Sequence, residues 1–572
     1  MDKTVYTSDI LVIGGGMAGL LAAITAREAG LDVILADKGG AGKSGATVMA
    51  SGQITFFSEE WGQDLEAVRR LLFEYGENLV NLDWQQIMME DSYAAYQKVK
   101  ECGVVFPYSE EAQKEKMRLR MEREPGNPPT WCDMPLRQRE VPDKLRKRCL
   151  KMGVRVMDRV RMQELLVVDG RVTGAIGYAV EDGAVEVFRT KAVIMAAGKN
   201  GFRAPGMNIA ELTGDADAMA YRAGAVISGK EFPDMHINIE KDPVWKGNGE
   251  LYPAFWNFVD GEGRFIPMRG FDLSAASVIH AGKGPIYWDF AHASDADKEA
   301  MQAYIEKRGM PMETERVDLG YLRGENVRII GGAAGGSTSE QSAGVMPCDL
   351  WCGSSIPGLF AAGDCLASWA WGALDRSGPP GLMPAAVEGI RSAKGAAAYI
   401  RSAQAPAADE KLEDRLAEEM LEPLARKTGF DPRWVCQLLQ NTMLPYFVIH
   451  IKHGDRLKAA LTYVEFLRDH MLPGLMAHDA HELRLCHETA NMVLNAEMIL
   501  RASLAREESR GWHYREDFPE RDDENWLAWV CMKKGQDGME VFKKPIEKLP
   551  EPLAPYEKPW LAWDPDSLKW AP

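Results

Sequence analysis

The sequence predicts an α/β fold with parallel strands, and the observations that predict it lie in residues 8–37. The apolar run 10–13 has the composition of a buried strand, and the Ala- and Leu-rich stretch 20–29 predicts a helix. A second apolar strand, 33–36, ends at Asp37. Between the first strand and the helix lie glycines with the G-x-G-x-x-G spacing, namely Gly14, Gly16 and Gly19. This order is that of a Rossmann-type dinucleotide-binding unit.

The residue types of this motif follow from its chemistry. The glycines let the backbone turn tightly and approach a pyrophosphate, which then lies at the N-terminus of the following helix. Asp37 lies where a carboxylate accepts hydrogen bonds from the ribose hydroxyls of an adenosine. The motif predicts a bound dinucleotide and does not by itself separate FAD from NAD.

Periodicity and composition predict the remaining elements. In chain order they are a Gly-, Ala- and Ser-rich segment (38–55), amphipathic helix (61–104), strands (154–160, 164–168, 172–178 and 191–197) and a capped helix (213–225). Residues 231–330 are aromatic, glycine-rich and irregular. Regular patterning returns with a strand and an acid (356–364), a long helix (383–401) and further amphipathic helices (405–425 and 433–510). From about residue 545 the chain is rich in Pro and Trp and has little periodicity.

Composition and charge limit the classes of function. The chain has 572 residues, 46% of them hydrophobic and 26% charged, a balance typical of soluble globular proteins with two or three domains. Its net charge of -17 argues against a nucleic-acid-binding surface. We expect no membrane span, because no apolar run approaches about 18 residues, and the start of the chain has no signal-peptide pattern. These features predict a cytoplasmic protein, unless a partner carries it to a membrane.

The 9 cysteines are predicted to be reduced thiols, because their number is odd and they are scattered. Only Cys348 and Cys352 lie close together, as C-x-x-x-C. An iron–sulfur cluster needs repeated short spacings. The sequence therefore predicts no metal centre in this chain.

Four motifs, in order over nearly the whole chain, carry a resemblance to a known family. Residues 196–199, 213–216 and 357–364 resemble its Ala-Ala-Gly-Gly, Thr-Gly-Asp-Gly and Pro-Gly-Leu-Tyr-Ala-Ala-Gly-Glu signatures. Residues 506–526, a long and specific run that begins Arg-Glu-Glu-Ser-Arg-Gly-Trp-His, resemble its C-terminal signature. On these motifs the chain resembles the fumarate reductase/succinate dehydrogenase flavoprotein family. Within that family, residues 282–287 and 540–545 look closest to the adenylylsulfate reductase alpha subunit.

The resemblance implies an α/β architecture with a Rossmann-type FAD-binding domain, an inserted α+β capping domain and a C-terminal helical domain. We place the FAD-binding domain at 1–230 and 331–403 and the capping or substrate domain at 231–330. The helical domain is placed at 404–530, and a C-terminal arm at 531–572.

FAD is the cofactor that the resemblance implies. A helix beginning near Met383 would direct its positive N-terminal end at the pyrimidine edge of the flavin, where charge accumulates on reduction. Asp364 would accept hydrogen bonds from ribityl or ribose hydroxyls, and Asp215 from the adenine side. Members with covalent FAD carry a histidine after the second strand, whereas Ser44 is followed here by Gly45, so noncovalent FAD is predicted. The predicted FAD contacts are Gly14, Gly16, Gly19, Asp37, Lys38, Ser44, Gly45, Ala46, Thr47, Gly52, Val160, Ala197, Gly198, Asp215, Gly363, Asp364, Gly381 and Leu382.

Departures from the family's motifs concern the substrate side. The family's Arg-Leu-Gly-Gly-Asn-Ser-Leu segment is Arg-Ser-Gly-Pro-Pro-Gly-Leu here, so its arginine is retained as Arg376 but its Asn-Ser pair is lost. No arginine is present at 250–260, where the Arg-Gly-Glu-Gly segment is expected. The His-Tyr-Thr-Met-Gly-Gly segment, at 327–332, lacks its histidine, and the Phe-His-Pro-Thr segment retains only its own, His236. We therefore expect a substrate other than fumarate or succinate.

Three residues are predicted to act on a small anionic substrate. The planar guanidinium of Arg376 suits a carboxylate, sulfate or phosphate, and an interdomain salt bridge is the alternative. His236 suits anion binding or proton transfer, and an interdomain hydrogen bond is the alternative. Arg328 lies close to the missing histidine but out of register. Aromatic residues of the capping segment suit stacking on an adenine-like ligand and core packing equally well; they are Trp245, Tyr252, Trp256 and Trp288.

The sequence thus predicts the flavoprotein subunit of an oxidoreductase that moves two electrons between FAD and a small anionic substrate. As the chain has no predicted cluster, a ferredoxin-like iron–sulfur subunit is the predicted electron partner, in a hetero-oligomer. The Pro- and Trp-rich arm suits contact with such a partner or packing on its own subunit. Two alternatives stay open. One is an adenylylsulfate reductase alpha subunit, in which sulfite attacks the flavin and AMP stacks on cap aromatics, and the other is an electron-transfer flavoprotein with a degenerate substrate site.

Overall fold

The computed structural model of the chain describes most of its length. The described residues are 2–49, 53–123, 131–137, 139–204, 211–234, 258–266, 278–282, 284–292, 294–296, 298–299, 325–329, 337–338, 342–373, 381–403, 408–550, 563–564 and 569–570.

The helices confirm most of the predicted helical segments, and the predicted helix 61–104 is divided in two. They are α1 (Met17–Glu28), α2 (Ala46–Met49), α3 (Leu65–Tyr75), α4 (Leu82–Glu101), α5 (Glu110–Arg123), α6 (Glu140–Lys151), α7 (Asp215–Ala223), α8 (Leu382–Ile400), α9 (Glu410–Ala425), α10 (Pro432–Met443), α11 (Tyr446–Ile449), α12 (Gly454–Phe466), α13 (Ala480–Ala505) and α14 (Asp523–Trp526).

The strands form one large sheet and several small ones. They are β1 (Lys3–Ile13), β2 (Val33–Asp37), β3 (Gln53–Phe56), β4 (Cys132–Pro135), β5 (Arg155–Asp158), β6 (Val160–Val168), β7 (Arg171–Ala179), β8 (Val185–Met195), β9 (Ile227–Ser228), β10 (Pro233–Asp234), β11 (Phe258–Asp260), β12 (Phe265–Ile266), β13 (Ile286–Trp288), β14 (Val327–Ile329), β15 (Ser337–Thr338), β16 (Gly344–Val345), β17 (Leu359–Ala361), β18 (Ile451–Lys452), β19 (Tyr514–Arg515), β20 (Ala528–Lys534), β21 (Met539–Pro545), β22 (Trp563–Asp564) and β23 (Lys569–Trp570).

The large sheet has the order β5-β2-β1-β8-β7-β6, and β17 also pairs with β8. The pairs β5–β2, β2–β1, β1–β8 and β8–β17 are all parallel, whereas β6, β7 and β8 form an antiparallel meander. Apolar runs produce this order because a strand covered on both faces buries every side chain. Residues 10–13, for example, are at most 5% exposed. The predicted Rossmann-type α/β fold is therefore confirmed.

Strand β1 is longer than the apolar run that predicted it. Its first half, Lys3 to Ser8, pairs in parallel with residues 185–190 of β8 and includes polar, partly exposed residues. Since this half lies at the rim of the sheet, its sequence has no continuous apolar run. Hydrophobicity alone therefore marked only the buried half.

A four-stranded antiparallel sheet of order β12-β11-β13-β14 lies within the segment predicted to form the cap. Its strands fall at residues 258–329, inside the predicted boundaries 231–330. The assignment of 231–330 as a separate domain remains a prediction.

The C-terminal region is helical up to α13 and then forms a hairpin, β20–β21, that the sequence analysis did not identify. The hairpin joins β9 and β16 in a sheet of order β16-β9-β20-β21, with Cys531 opposite Ser228. Strand β20 spans residue 530, the predicted end of the helical domain, so that boundary falls within a strand. The hairpin ties the C-terminal part of the chain to its middle.

Two further sequence predictions concern cysteines and membrane spans. All the cysteines of the chain lie in the described residues, and all are free thiols. No helix in the described part of the chain combines the length and hydropathy that crossing a membrane requires.

Helices α1 and α8 pack backbone to backbone against each other. A Cβ atom at Gly389 would lie 2.4 Å from the carbonyl oxygen of Ala18. We expect Gly389→Ala to destabilise the fold by about 1–3 kcal/mol, because overpacking outweighs the gain of about 1 kcal/mol in helix propensity. Urea unfolding measures this, with Lys394→Ala, at an exposed position of α8, as the control. An unchanged or higher unfolding free energy for Gly389→Ala would contradict the close contact.

Candidate functional site

The glycine turn between β1 and α1 brings the backbone against the end of β8. Gly14 has φ +102°, and a Cβ there would lie 2.3 Å from the carbonyl oxygen of Ala196. Gly16 occupies the N-cap of α1 and offers no side chain to cover the first turn. The N–H of Met17 donates to Thr47 Oγ1 at 3.0 Å, which places Thr47 beside the turn. The remaining first-turn N–H groups suit an anion such as a pyrophosphate.

Asp37 closes one side of this turn at the end of β2. Its Oδ2 accepts a hydrogen bond from the N–H of Gly15 at 2.7 Å, and its Oδ1 accepts from the N–H of Gly39 at 2.8 Å. Ser44 Oγ donates to the same Oδ1 at 3.2 Å. These bonds hold the carboxylate next to the glycine turn, where a ribose would bind.

The opposite side of the edge consists of segments that follow β8 and β17. Ala197 and Gly198 follow β8, and Gly363 and Asp364 follow β17. The N–H of Gly363 donates to Oε2 of the buried Glu388 at 2.8 Å. Burial raises the pKa of Glu388 well above its ordinary value, which favours its protonated form. Because these strands are parallel to β1 and β2, all of the segments meet at one edge of the sheet.

Helix α8 begins at the same edge. Gly381 is its N-cap, Leu382 is its first residue, and its first turn has no acidic residue. The positive end of the helix dipole is therefore available to a negatively charged group. The arrangement of open helix termini, close glycine backbone and Asp37 fits a flavin dinucleotide, and FAD when bound would supply two-electron chemistry.

The other predicted cofactor contacts have different surroundings. Ser44 and Gly45 precede α2, whereas Ala46 and Thr47 begin it. Val160 is buried at the start of β6, opposite Ala179. Gly52 lies outside the described residues. Direct contact between any of these residues and the cofactor remains a prediction.

Lys38 connects this edge to helix α13. Its Nζ donates to Thr213 Oγ1 at 2.7 Å, Asp215 Oδ2 at 2.8 Å and Glu488 Oε1 at 3.0 Å. Although burial opposes ionisation, the charges of Arg161 and Lys38 hold the pKa of Asp215 below its ordinary value. Glu488 was missed in the sequence, because a single acid in a helical segment gives no signal of a distant partner. The predicted contacts Lys38 and Asp215 are thus bound to each other and to α13.

A second buried ion pair lies between α7 and the segment after β9. Lys230 pairs with Asp217, and its Nζ also donates to Asn495 Oδ1 at 2.9 Å. Both charged side chains are at most 1% exposed. Helix α13 therefore contacts this side of the site through Asn495 as well as through Glu488.

Of the three candidate substrate residues, only Arg328 lies in the described part of the chain. It lies on β14, opposite Tyr287 of β13, and is exposed. Arg376 and His236 lie outside the described residues. The aromatic candidates Trp245, Tyr252 and Trp256 lie outside them too, while Trp288 lies on β13 opposite Phe258.

Lys452 fastens the segment that leads towards His236. Its Nζ donates to the carbonyl oxygen of Glu231 at 2.5 Å and lies 3.0 Å from His513 Nδ1. Burial, together with the charges of Arg515 and Arg506, lowers the pKa of Lys452 to about 7, against the attraction of Glu231. With Lys452 donating, His513 accepts at Nδ1, and its Nε2–H donates to the carbonyl oxygen of Arg506 at 3.2 Å.

Comparison with known proteins supports this interpretation of the site. Residues 9–240 match the family described as FAD binding domain, and residues 437–557 match the family described as fumarate reductase flavoprotein C-term. The first-named subunit of the fumarate reductase (CoM/CoB) of Methanothermobacter marburgensis is 25% identical over 570 residues, covering 93% of this chain and 98% of that protein.

Solved structures share the fold over nearly the whole chain. Sdh1 of Mycobacterium smegmatis gives a TM-score of 0.79 at 23% identity, covering 96% of each chain. Adenylylsulfate reductase of Archaeoglobus fulgidus gives a TM-score of 0.75 at 21% identity, covering 96% of this chain and 97% of that one.

The glycine turn, the sheet edge and these matches define a FAD-dependent oxidoreductase. The chain belongs to the fumarate reductase/succinate dehydrogenase flavoprotein family. FAD is its cofactor, as the resemblance implied.

Gly16 provides a test of the cofactor edge that does not disturb the fold. Its φ of -75° suits alanine, and the nearest atom to an added Cβ would be Thr47 Oγ1 at 3.2 Å. We expect Gly16→Ala to fold but to bind FAD at least about ten-fold more weakly, because the second glycine admits the pyrophosphate. Flavin titration and thermal unfolding measure the two effects. Gly261→Ala, in the turn after β11 and at ordinary contact distance from Pro285, is the control. Full FAD affinity in Gly16→Ala would refute the placement of the pyrophosphate.

Lys452 predicts a pH dependence of stability. In the unfolded chain Lys452 keeps its proton up to its ordinary pKa of 10.5, whereas in the fold it loses the proton near pH 7. Folding therefore releases a proton between these values, and stability rises with pH by up to about 1.4 kcal/mol per pH unit. We expect Lys452→Met to lose this rise in urea unfolding from pH 7 to 10, relative to the parent protein. Lys458→Met, at an exposed position, is the control, and equal slopes for all three proteins would contradict the prediction.

Proposed function

We propose that this chain moves two electrons between noncovalent FAD and a small anionic substrate other than fumarate or succinate. The observation that carries the proposal is a contrast between the two halves of the site. The cofactor edge is complete, from the glycine turn to the start of α8. The substrate segments, in contrast, lack the family's Asn-Ser pair, one arginine and one histidine.

The residues of the chain would divide the work between charge stabilisation, substrate binding and proton transfer. The N-terminal end of α8 stabilises negative charge at the flavin. Arg376 binds and orients the oxyanion of the substrate, and its planar fork suits a carboxylate, sulfate or phosphate. His236 holds or moves the proton that accompanies electron transfer. Arg328, exposed on β14, supplies a further positive charge on the cap side.

We also propose that electrons pass to or from a ferredoxin-like iron–sulfur subunit in a hetero-oligomer. The similar protein of Methanothermobacter marburgensis is itself one subunit of a fumarate reductase. The sequence contains no cysteine spacing for a cluster of its own. The C-terminal arm, 531–572, is the segment that we assign to contact with this partner beyond the hairpin β20–β21.

An adenylylsulfate reductase alpha subunit is the second candidate. It is supported by the resemblance at 282–287 and by a shared fold with the enzyme of Archaeoglobus fulgidus. A degenerate electron-transfer flavoprotein is the third, since the family's substrate-side residues are incomplete.

One anaerobic experiment on the purified protein separates these functions through the visible flavin band. Oxidised protein receives sulfite with and without AMP, and reduced protein receives fumarate and a panel of other enoates. Reoxidation by an enoate other than fumarate supports our proposal, and an AMP-dependent bleach by sulfite supports the second candidate. Reoxidation by no substrate supports the third. Acid precipitation of the same sample should leave FAD in the supernatant, and a flavin retained in the pellet would refute noncovalent binding.

Arg376 is the residue on which substrate binding is expected to depend. We expect Arg376→Ala to lower kcat/KM by about 100-fold, because charge-assisted hydrogen bonds to the oxyanion are lost. FAD content should remain that of the parent protein. Stopped-flow reoxidation with the substrate found above measures the loss, and Arg401→Ala, at the exposed C-terminus of α8, is the control. Unchanged reoxidation by Arg376→Ala would favour the interdomain salt bridge.

A further inference from the structure

A row of alternating buried charges lies in the C-terminal segment after α13. Oε1 of Glu508 accepts from Arg506 Nη1 at 2.7 Å and from Arg510 Nε at 2.8 Å, and its Oε2 accepts from Arg510 Nη2 at 2.8 Å. All three side chains are 0% exposed. The N–H of Asp522 donates to Oε2 at 2.9 Å as well. A buried carboxylate with this many donors holds its partners in a fixed geometry.

Arg506 extends the row to the segment after β9. Its Nε donates to Glu231 Oε1 at 2.9 Å, and its guanidinium carbon lies 5.4 Å from the ring centroid of Phe232. Lys452 holds the carbonyl oxygen of the same Glu231. Both the backbone and the side chain of Glu231 are therefore fixed. This segment continues through β10 towards His236.

Arg510 extends the row in the other direction, to the loop after α3. Its Nη1 donates to the carbonyl oxygen of Glu77 at 2.6 Å, and the N–H of Gly511 donates to Glu77 Oε1 at 3.0 Å. The N–H of Ala373 donates to the carbonyl oxygen of Gly76 at 3.0 Å. A Cβ at Gly511 would lie 2.3 Å from the carbonyl oxygen of Ala373, so the two backbones are in contact. The segment 369–373 leads towards Arg376.

The two segments also contact each other. Trp369 packs edge-on against Phe232 with ring centroids 5.6 Å apart, and its Nε1 donates to Ser228 Oγ at 3.0 Å. Trp369 has φ +58°, a conformation that a bulky residue adopts only where its surroundings impose it. The contacts of Arg506 and Arg510 lie behind the two segments and supply part of that constraint.

We propose that Glu508 is a positioning residue for the substrate site. Through Arg506 it holds segment 229–234, through Arg510 it holds segment 369–373, and one carboxylate thus sets the placement of each segment relative to the other. The inference rests on the proposed function, because the residues that these segments introduce, His236 and Arg376, are its substrate residues. It predicts that substrate binding depends on a carboxylate that does not touch substrate or cofactor.

Hydrogen exchange of the FAD-loaded protein, measured by mass spectrometry, tests the proposal without a substrate. We expect Arg506→Lys to speed exchange in 229–234 and Arg510→Lys to speed it in 369–373, each by about ten-fold or more, because a charge-assisted fork is lost. Glu508→Gln, which keeps one acceptor oxygen, should speed both together. Arg501→Lys, which alters another ion-paired arginine near the end of α13, is the control.

Further readouts separate positioning from general stability. Exchange in the glycine turn, 10–24, and the affinity for FAD should stay within about two-fold of the parent protein. With a substrate from the screen, Glu508→Gln should raise KM and lower kcat together. Uniformly faster exchange, or no local change in any variant, would overturn the proposal. The exchange result stands even if no substrate is found, so failure of the proposed function is distinguishable. If Glu508→Gln does not fold, the two arginine variants still decide.

Discussion

The close approach of the Gly14 backbone to the end of β8 is the constraint on which the rest of the site depends. An added Cβ there would lie 2.3 Å from the carbonyl oxygen of Ala196, so the chain can leave β1 beside the end of β8 only through a glycine. The same approach sets where α1 begins, where Asp37 lies relative to its first turn, and how closely Gly363 approaches Ala18. A flat cofactor edge follows from three backbones that touch.

Buried charge pairs connect this edge to the C-terminal half of the chain. Lys38 with Glu488, Lys230 with Asp217, and Arg506 with Glu231 each join separate elements of the fold. Such pairs contribute little net stability, because desolvation offsets much of their attraction. Their geometric demands are strict, however, and a charge misplaced in the interior would be very unfavourable. We therefore attribute to them the alignment of the C-terminal helices on the FAD-binding fold.

The sequence allowed the cofactor half of the site to be predicted, because its signals are local. A strand, a glycine spacing and an acid lie within residues 8–37, and parallel pairing then brings Asp37 to the turn. The partners of Lys38 could not be predicted in this way, since Glu488 lies in a helix whose charged residues all have similar neighbours. The hairpin β20–β21 was missed because the strand 528–534 is nearly all apolar in its first half and lacks alternation. Its pairing with β9 is a tertiary contact that no local pattern encodes.

The pairing of β9 with β20 has a consequence for how the protein is made. Until the ribosome has delivered residues 528–534, strand β9 has an unpaired edge and Glu231 has no Arg506 held beside it. An emerging chain would therefore hold a nearly complete nucleotide-binding fold with an exposed strand edge and an acid lacking its partner, a state prone to association. The segment that closes this sheet is synthesised some 300 residues after the strand it covers, which favours a chaperone or a waiting partner during that interval.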